Sequence, residues 1–219
     1  MASEARPTLG DRIKYKVVRF GRLRAGAIKR RLRPPSLPVS SDGQLRLHLG
    51  CGIVNAPGFV NIDLLKAPHV HVRAQIDDLS SFPSECADLV YACHCLEHFG
   101  FRRTRAILEE WVRVLRPGGT LRLAVPDFAV IARAYVSGGG LRELQGLLLG
   151  GQDYQLNFHA SVFDEPFLRE LMQSVNITDV RRWDARTIDH HDFTDESTIM
   201  CPVGKENVLL SLNLEGRKR

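Results

Sequence analysis

Short apolar runs alternate with turn residues along most of the chain. Over 45–49 apolar and polar residues alternate, which predicts a strand, and Gly50 and Gly52 follow directly. A second apolar run over 59–62 ends at Asp63. Glycine lets the backbone turn sharply, and ligands of doubly wound sheets bind beyond the carboxyl ends of the strands. We therefore expect the two glycines and Asp63 to lie on one rim of a sheet.

The rest of the chain continues this alternation of strand and helix patterns, which is typical of an α/β fold with a largely parallel sheet. Further strands are predicted over 70–74, 88–93, 120–125, 177–183 and 207–214. Helices are predicted over 102–115, over 128–136 with Asp127 as its cap, over 141–149, and after Asp164. The polar stretch 189–198 is predicted to be a mobile loop.

The spacing between the glycines and the acid separates two kinds of nucleotide site. Asp63 follows Gly52 by 11 positions, whereas a dinucleotide fold places its acid about 20 residues beyond the glycines. The third glycine of that pattern is also missing, because position 55 is Asn. The pattern disfavours a nicotinamide oxidoreductase and favours a ligand with ribose hydroxyls but without phosphate.

Charge divides the chain into two parts. Residues 1–40 hold 11 Lys or Arg and 2 acids, whereas residues 41–219 hold 19 and 23. We therefore predict a basic arm and linker over 1–43 and one domain over 44–219. The arm suits an anionic partner such as a membrane surface, an acidic glycolipid or a nucleic acid, or else it is a solvated extension.

Composition limits the setting of the protein. Five cysteines, an odd number, favour reduced thiols and a cytoplasmic protein, with peripheral attachment to a membrane through the arm as an alternative. No apolar run is long enough to predict a transmembrane helix. The Cys and His residues over 93–98 do not have common zinc spacings, so no metal site is expected.

The motifs LHLGCG, PGFVNIDL, LEHF and RVLRPGG together resemble the class I S-adenosylmethionine-dependent methyltransferases. They are most similar to a bacterial group, type 11-like, in which the first helix is short. This resemblance implies a doubly wound, Rossmann-like sheet of seven strands, with the last strand antiparallel and helices on both faces. It also implies S-adenosylmethionine as cofactor and methyl transfer as the reaction.

The resemblance implies roles for individual residues near the predicted rim. Asp63 is expected to accept both ribose hydroxyls, and Asp78 with the Leu79 N–H to bind adenine, with Asp77 as the alternative acid. His94 is expected beside the cofactor. The predicted cofactor residues are Gly50, Cys51, Gly52, Asp63, Asp78, Leu79 and His94.

A hydroxyl acceptor needs a base to take its proton. The candidates near the rim are His94, Glu97, His98, Asp127 and His159. His98 is preferred, because the ordinary pKa of histidine lies near neutrality. Glu97 is predicted either to orient His98 or to anchor the loop, and His159 to face the substrate from a cover formed by 137–159.

Missing motifs narrow the acceptor. The chain has no N-P-P-Y or D-P-P-Y after the fourth strand and no P-C dipeptide, which are expected in several nucleic-acid and protein methyltransferases of this fold. The bacterial group it resembles is associated with surface-polysaccharide biosynthesis, so we expect O-methylation of a small-molecule or glycan acceptor. The alternatives are a non-catalytic S-adenosylmethionine-binding protein and an RNA methyltransferase that uses the basic arm.

Overall fold

The computed structural model describes residues 42–219 together with Gly21, Ala25, Gly26, Ile28 and Ser40. The remainder of the predicted basic arm and linker lies outside the described residues. Of the described arm positions, Gly26 is buried and packs against the backbone carbonyl of Ser80, and a Cβ at Gly26 would overlap that oxygen. This contact brings one point of the arm to the domain.

Seven of the nine described strands form one sheet, in the order β3-β2-β1-β4-β5-β9-β6. Strands β1 to β5 are parallel to one another, and β9 runs antiparallel between β5 and β6. The predicted seven-stranded, Rossmann-like sheet with an antiparallel last strand is therefore confirmed. The strands are β1 Arg46–Leu49, β2 Val60–Asp63, β3 Val72–Arg73, β4 Ala87–Cys93, β5 Leu115–Pro126, β6 Ile177–Arg182, β7 Met200–Val203, β8 Glu206–Leu209 and β9 Ser211–Lys218.

The described helices begin and end close to the predicted positions. Asp127 and Asp164 cap two of them by accepting hydrogen bonds from the backbone N–H groups of Ala129 and Phe167, each at 2.9 Å. Within the described residues, no helix is both long and apolar enough to cross a bilayer. The helices are α1 Thr104–Val114, α2 Phe128–Val136, α3 Leu141–Leu149 and α4 Glu165–Gln173, with short 3-10 helices at Leu96–His98 and Glu196–Thr198.

The central strand β1 is buried on both faces. Leu47 and Leu49 pack into the larger core with the α1 side chains, whereas His48 lies among aromatic rings on the opposite face. Both polar residues of the strand, Arg46 and His48, are also buried. Helices and loops cover both faces of a parallel sheet, so polar residues on its central strands are enclosed as well.

The prediction of one last strand over 207–214 is wrong in its bounds. Residues Glu206–Leu209 pair with β7 as a separate two-stranded sheet, and the strand that enters the main sheet is Ser211–Lys218. The carboxyl half of Ser211–Lys218 is charged, so it lacks the apolar alternation that would predict a strand there. Glu215 is nevertheless buried, because Arg122 Nε donates to it at 3.0 Å from the neighbouring strand.

Part of the predicted polar loop over 189–198 packs against the sheet. His191 and Ser197 are buried there, and the Phe193 ring lies 5.9 Å from the Tyr91 ring. Tyr91 donates its hydroxyl hydrogen bond to Asp195. These polar side chains satisfy one another, so the segment packs against the sheet instead of extending into solvent.

Candidate functional site

The two glycines after β1 form the expected bend. Gly50 and Gly52 have φ angles of +65° and +53°, a region that glycine enters without steric cost. A Cβ at Gly50 would overlap the sulfur of Cys95, which lies in the loop after β4. A Cβ at Gly52 would meet no atom within 4 Å, so this part of the bend faces open space. A ligand can therefore approach the backbone at Gly52.

Asp63 lies at the bend, as predicted. Its Oδ2 accepts the Gly52 N–H at 2.8 Å, and its Oδ1 accepts the Leu65 N–H at 2.7 Å. A carboxylate has about four lone-pair positions, so each oxygen can still accept one hydroxyl hydrogen. The geometry therefore suits the two hydroxyls of a ribose.

Two neighbours complete the bend. Cys51 is buried, and burial raises the pKa of its thiol to about 12, so it is neutral and can meet a ligand only through its backbone. His69 Nε2 lies 2.8 Å from the Gly52 carbonyl oxygen and holds that peptide in place. His69 is not among the predicted site residues, because nothing in its flanking pattern distinguishes it from a loop histidine.

The structure contradicts the assignment of Leu79 to adenine binding. Its side chain is fully buried, and its N–H donates to the buried carboxylate of Glu110 at 3.1 Å. Asp77 is paired with Arg103 at 2.8 Å, while Asp78 lines an open cleft of about 250 Å³ next to β3. Ile76 is the residue of this loop that reaches the bend, since its Cδ1 would lie 3.5 Å from a Cβ at Gly50. Ile76 is not among the predicted site residues either, because its sequence context is that of an ordinary core residue.

His94 and Glu97 follow β4 and are both largely buried. His94 Nε2 lies 3.1 Å from Ser211 Oγ, and its Nδ1 lies 3.5 Å from Glu97 Oε1 without hydrogen-bond geometry. Burial lowers the pKa of His94 to about 4, and burial raises the pKa of Glu97 to about 8. Burial thus favours the neutral form of both groups, which disfavours an ion pair between them.

Three of the predicted catalytic side chains meet. One ligand-type atom from each of Glu97, His98 and His159 lies within 4.8 Å of the other two. The two imidazole rings have an edge-to-face arrangement, with centroids 5.1 Å apart. Ala160 N donates to the Glu97 carbonyl oxygen at 2.7 Å, which ties the predicted cover to the 3-10 helix. We call Glu97, His98 and His159 the acceptor triad.

The remaining candidate base, Asp127, has a structural role. It caps α2, and Arg182 lies 4.0 Å from its other oxygen. The acceptor triad instead adjoins a pocket of about 10 Å³ lined by Glu97 and His159. That is about the space that one water molecule needs.

Part of the chain matches a known protein family. Residues 47–123 match a family described as a methyltransferase domain. This part of the chain is a methyltransferase domain. The match includes the glycine bend, Asp63 and the loop after β4 that contains Glu97 and His98. The predicted family, enzyme class and cofactor, S-adenosylmethionine, are therefore confirmed at the level of the family.

Several solved structures are similar to this chain. A possible exported protein of Bordetella parapertussis is 14% identical, with a TM-score of 0.50 over 89% of this chain and 67% of that one. A SAM-dependent methyltransferase of Archaeoglobus fulgidus is 13% identical, with a TM-score of 0.49 over 90% and 94%. A Burkholderia thailandensis 1,6-didemethyltoxoflavin-N1-methyltransferase is 16% identical, with a TM-score of 0.47 over 100% and 92%. No curated protein matches the chain.

Proposed function

We propose that the methyltransferase domain transfers a methyl group from S-adenosylmethionine to a hydroxyl oxygen of a small-molecule or glycan acceptor. The observation that supports this most directly is the contact between Gly50 and Cys95. It brings the predicted cofactor bend next to the loop that leads into Glu97 and His98. Cofactor and acceptor residues therefore belong to one rim of the sheet.

The residues at the bend fit the cofactor. Asp63 has lone pairs for two ribose hydroxyls, and Gly52 leaves open space for the ligand. Hydrogen bonds to a charged acceptor are stronger than those to a neutral one, so Asp63 supplies much of the affinity. When bound, S-adenosylmethionine supplies a methyl group that its sulfonium has already activated.

The acceptor triad can take up the proton that the acceptor hydroxyl loses when it is methylated. His98 Nδ1 faces the Phe158 carbonyl oxygen at 3.1 Å, which leaves its Nε2 as the atom able to accept the acceptor's proton. The His159 ring lies beside it in the same tautomeric arrangement, with Nδ1 3.2 Å from the Leu147 carbonyl oxygen. Holding the acceptor oxygen near these atoms fixes its orientation, which can supply several kcal/mol of the barrier.

The assignment of Asp63 is tested by titration with S-adenosylhomocysteine. We expect Asp63→Ala to weaken binding by about 1.5–3 kcal/mol, because the ribose hydroxyls lose a charged partner. Asp63→Asn keeps one acceptor oxygen and should lose less. Asp192→Ala, at an exposed loop aspartate, is the control and should bind as the wild type does. An unchanged dissociation constant in Asp63→Ala would reject the cofactor site.

A tritium-methyl assay tests the reaction itself. Its acceptor panel contains small hydroxylated compounds, oligosaccharides and RNA. Transfer to a hydroxyl compound that falls sharply in both His98→Ala and His159→Ala supports the proposal. Transfer to RNA would favour the nucleic-acid alternative, whereas cofactor binding without any transfer would favour a binding protein.

A further inference from the structure

We infer that the acceptor triad, Glu97, His98 and His159, is a binding site for a divalent transition-metal ion. The inference revises the sequence-based expectation of no metal, which considered only the Cys and His residues over 93–98. His159 lies 61 positions beyond His98, so no local spacing could have revealed the site. It is the fold that brings the third ligand in.

The donor set is that of an open metal site. Two imidazole nitrogens and one carboxylate oxygen bind Zn²⁺ in catalytic sites and Fe²⁺ in related ones, with positions left for water or substrate. Two imidazoles favour these ions over Mg²⁺ or Ca²⁺, which prefer oxygen ligands. Ligands about 2.1 Å from one ion lie at most about 4.2 Å apart. The three atoms, now within 4.8 Å, need to approach only slightly.

Both histidines are already oriented for coordination. The Nδ1 atoms of His98 and His159 face the backbone carbonyls of Phe158 and Leu147, at 3.1 Å and 3.2 Å. Metal-bound histidines commonly donate their second ring N–H to such a carbonyl, which fixes the tautomer and the ring. Each Nε2 is thereby left with the lone pair that an ion needs.

The carboxylate of Glu97 points to a bound ligand independently of the two histidines. Its side chain is only 1% exposed, and neither carboxylate oxygen has a hydrogen-bond partner among the described residues. A buried polar group without a partner is costly, and in a native protein it calls for an explanation such as a bound ion. The backbone of Glu97 is fixed at the same time, because its carbonyl accepts from Ala160 N and Ser161 N.

The pocket beside the acceptor triad has room for one small occupant. The adjoining pocket of about 10 Å³ is lined by Glu97, His159 and Ser161. Its size matches one water molecule or ion. His94 lies behind the carboxylate, with its Nδ1 3.5 Å from Glu97 Oε1 and its other nitrogen 3.1 Å from Ser211 Oγ. It is placed to orient Glu97 rather than to bind the ion.

A metal here would give the proposed reaction its acid–base chemistry, and this part of the inference rests on the proposed O-methylation. A bound cation lowers the pKa of a coordinated hydroxyl, so that its proton leaves to solvent. The oxygen then forms its bond to the methyl carbon as the carbon–sulfur bond breaks, and S-adenosylhomocysteine is released. With the ion bound, this route would replace proton transfer to His98 Nε2, because both imidazoles would then be ligands.

The test is titration of untagged, chelator-treated full-length protein with ZnCl₂, with MgCl₂ for comparison. We expect one Zn²⁺ per chain, and binding weakened at least about tenfold in Glu97→Gln and His159→Gln, since each removes a ligand. His190→Asn is the matched control: it changes an exposed histidine and keeps a residue that tolerates the local φ of +59°. Circular dichroism confirms that each variant is folded.

Two results would overturn the inference. One is no Zn²⁺ binding at millimolar metal; the other is equal binding by the wild type, Glu97→Gln and His159→Gln. Co²⁺ as a second probe should show ligand-field absorption without a sulfur-to-metal band, and a thiolate band would assign the ion to a cysteine instead. Titration of the same metal-free protein with S-adenosylhomocysteine tests the proposed function separately, because the predicted cofactor site does not include the acceptor triad.

Discussion

Two carboxylates in this protein are equally enclosed but have opposite surroundings. The side chains of Glu97 and Asp195 are each 1% exposed. Asp195 accepts hydrogen bonds from the Tyr91 hydroxyl and the Ser197 N–H, and His191 Nε2 lies 3.6 Å away. Glu97 has no hydrogen-bond partner for either oxygen among the described residues.

The pKa values of the two groups follow from this difference. Burial raises the pKa of Glu97 to about 8. Burial also acts to raise the pKa of Asp195, but the hydrogen bonds it accepts outweigh that effect and hold it well below its usual range. A buried carboxylate with hydrogen-bond partners stabilises the fold, whereas a buried carboxylate without such partners is a candidate for binding a ligand.

The sharpest test of this comparison is Asp195→Asn. The amide keeps an acceptor oxygen at only one of the two positions and loses the negative charge, so both charge-assisted hydrogen bonds, each worth about 1.5–3 kcal/mol, are lost or weakened. We expect the free energy of unfolding to fall by about 3–5 kcal/mol in urea titrations at pH 7. Asp192→Asn, three residues away and exposed, should stay within about 0.5 kcal/mol of the wild type. Equal stability of the two variants would show that the hydrogen bonds of Asp195 do not stabilise the fold.

The aromatic cluster around Asp195 predicts a pH effect through His48. Burial lowers the pKa of His48 to about 4, and its Nδ1 has no hydrogen-bond partner. The unfolded chain, with a histidine pKa of about 6.5, therefore binds the proton more readily, and stability is lost as the pH falls from 6.5 to 4. His48→Phe removes this loss, and its ring suits neighbours such as Phe193, 5.7 Å away.

The measurement is unfolding of the wild type and His48→Phe at pH 7 and pH 4. The variant should gain on the wild type by about 2–3 kcal/mol as the pH falls, since each pKa unit corresponds to about 1.4 kcal/mol. Thr194→Ala, at an exposed position without a titratable group, provides the control and should run parallel to the wild type. A constant difference between His48→Phe and the wild type at the two pH values would contradict the account.

Much of the fold could be predicted because its signals are local. The strand–glycine–strand pattern around Gly50 and Asp63, and the caps at Asp127 and Asp164, depend on neighbouring residues. The last strand was placed too early, since its carboxyl half is stabilised by a partner 93 positions away, Arg122 on Glu215. Ladder and ion-pair partners at such distances leave no trace in a short window.

The site residues, too, could be predicted where the signal is local and not where it comes from distant parts of the chain. The sequence placed Asp63 correctly, because its distance from Gly52 is fixed by a short link. It misassigned Leu79, whose N–H is taken by Glu110 from another element. It named Glu97, His98 and His159 separately but could not show that they meet. That meeting depends on the backbone hydrogen bond from Ala160 to Glu97, which only the folded chain forms.

Glu97→Gln is expected to have the smallest effect on stability, and it tests the distinction between the two carboxylates most directly. In metal-free protein burial favours the protonated form of Glu97, so replacing it with a neutral amide of similar shape should change little. We expect the free energy of unfolding to stay within about 1 kcal/mol of the wild type, against about 3–5 kcal/mol for the equivalent change at Asp195. Methyl transfer should nevertheless be lost, because the acceptor triad loses its carboxylate. A large loss of stability in Glu97→Gln would mean that Glu97, like Asp195, serves folding, and the distinction between the two carboxylates would fail.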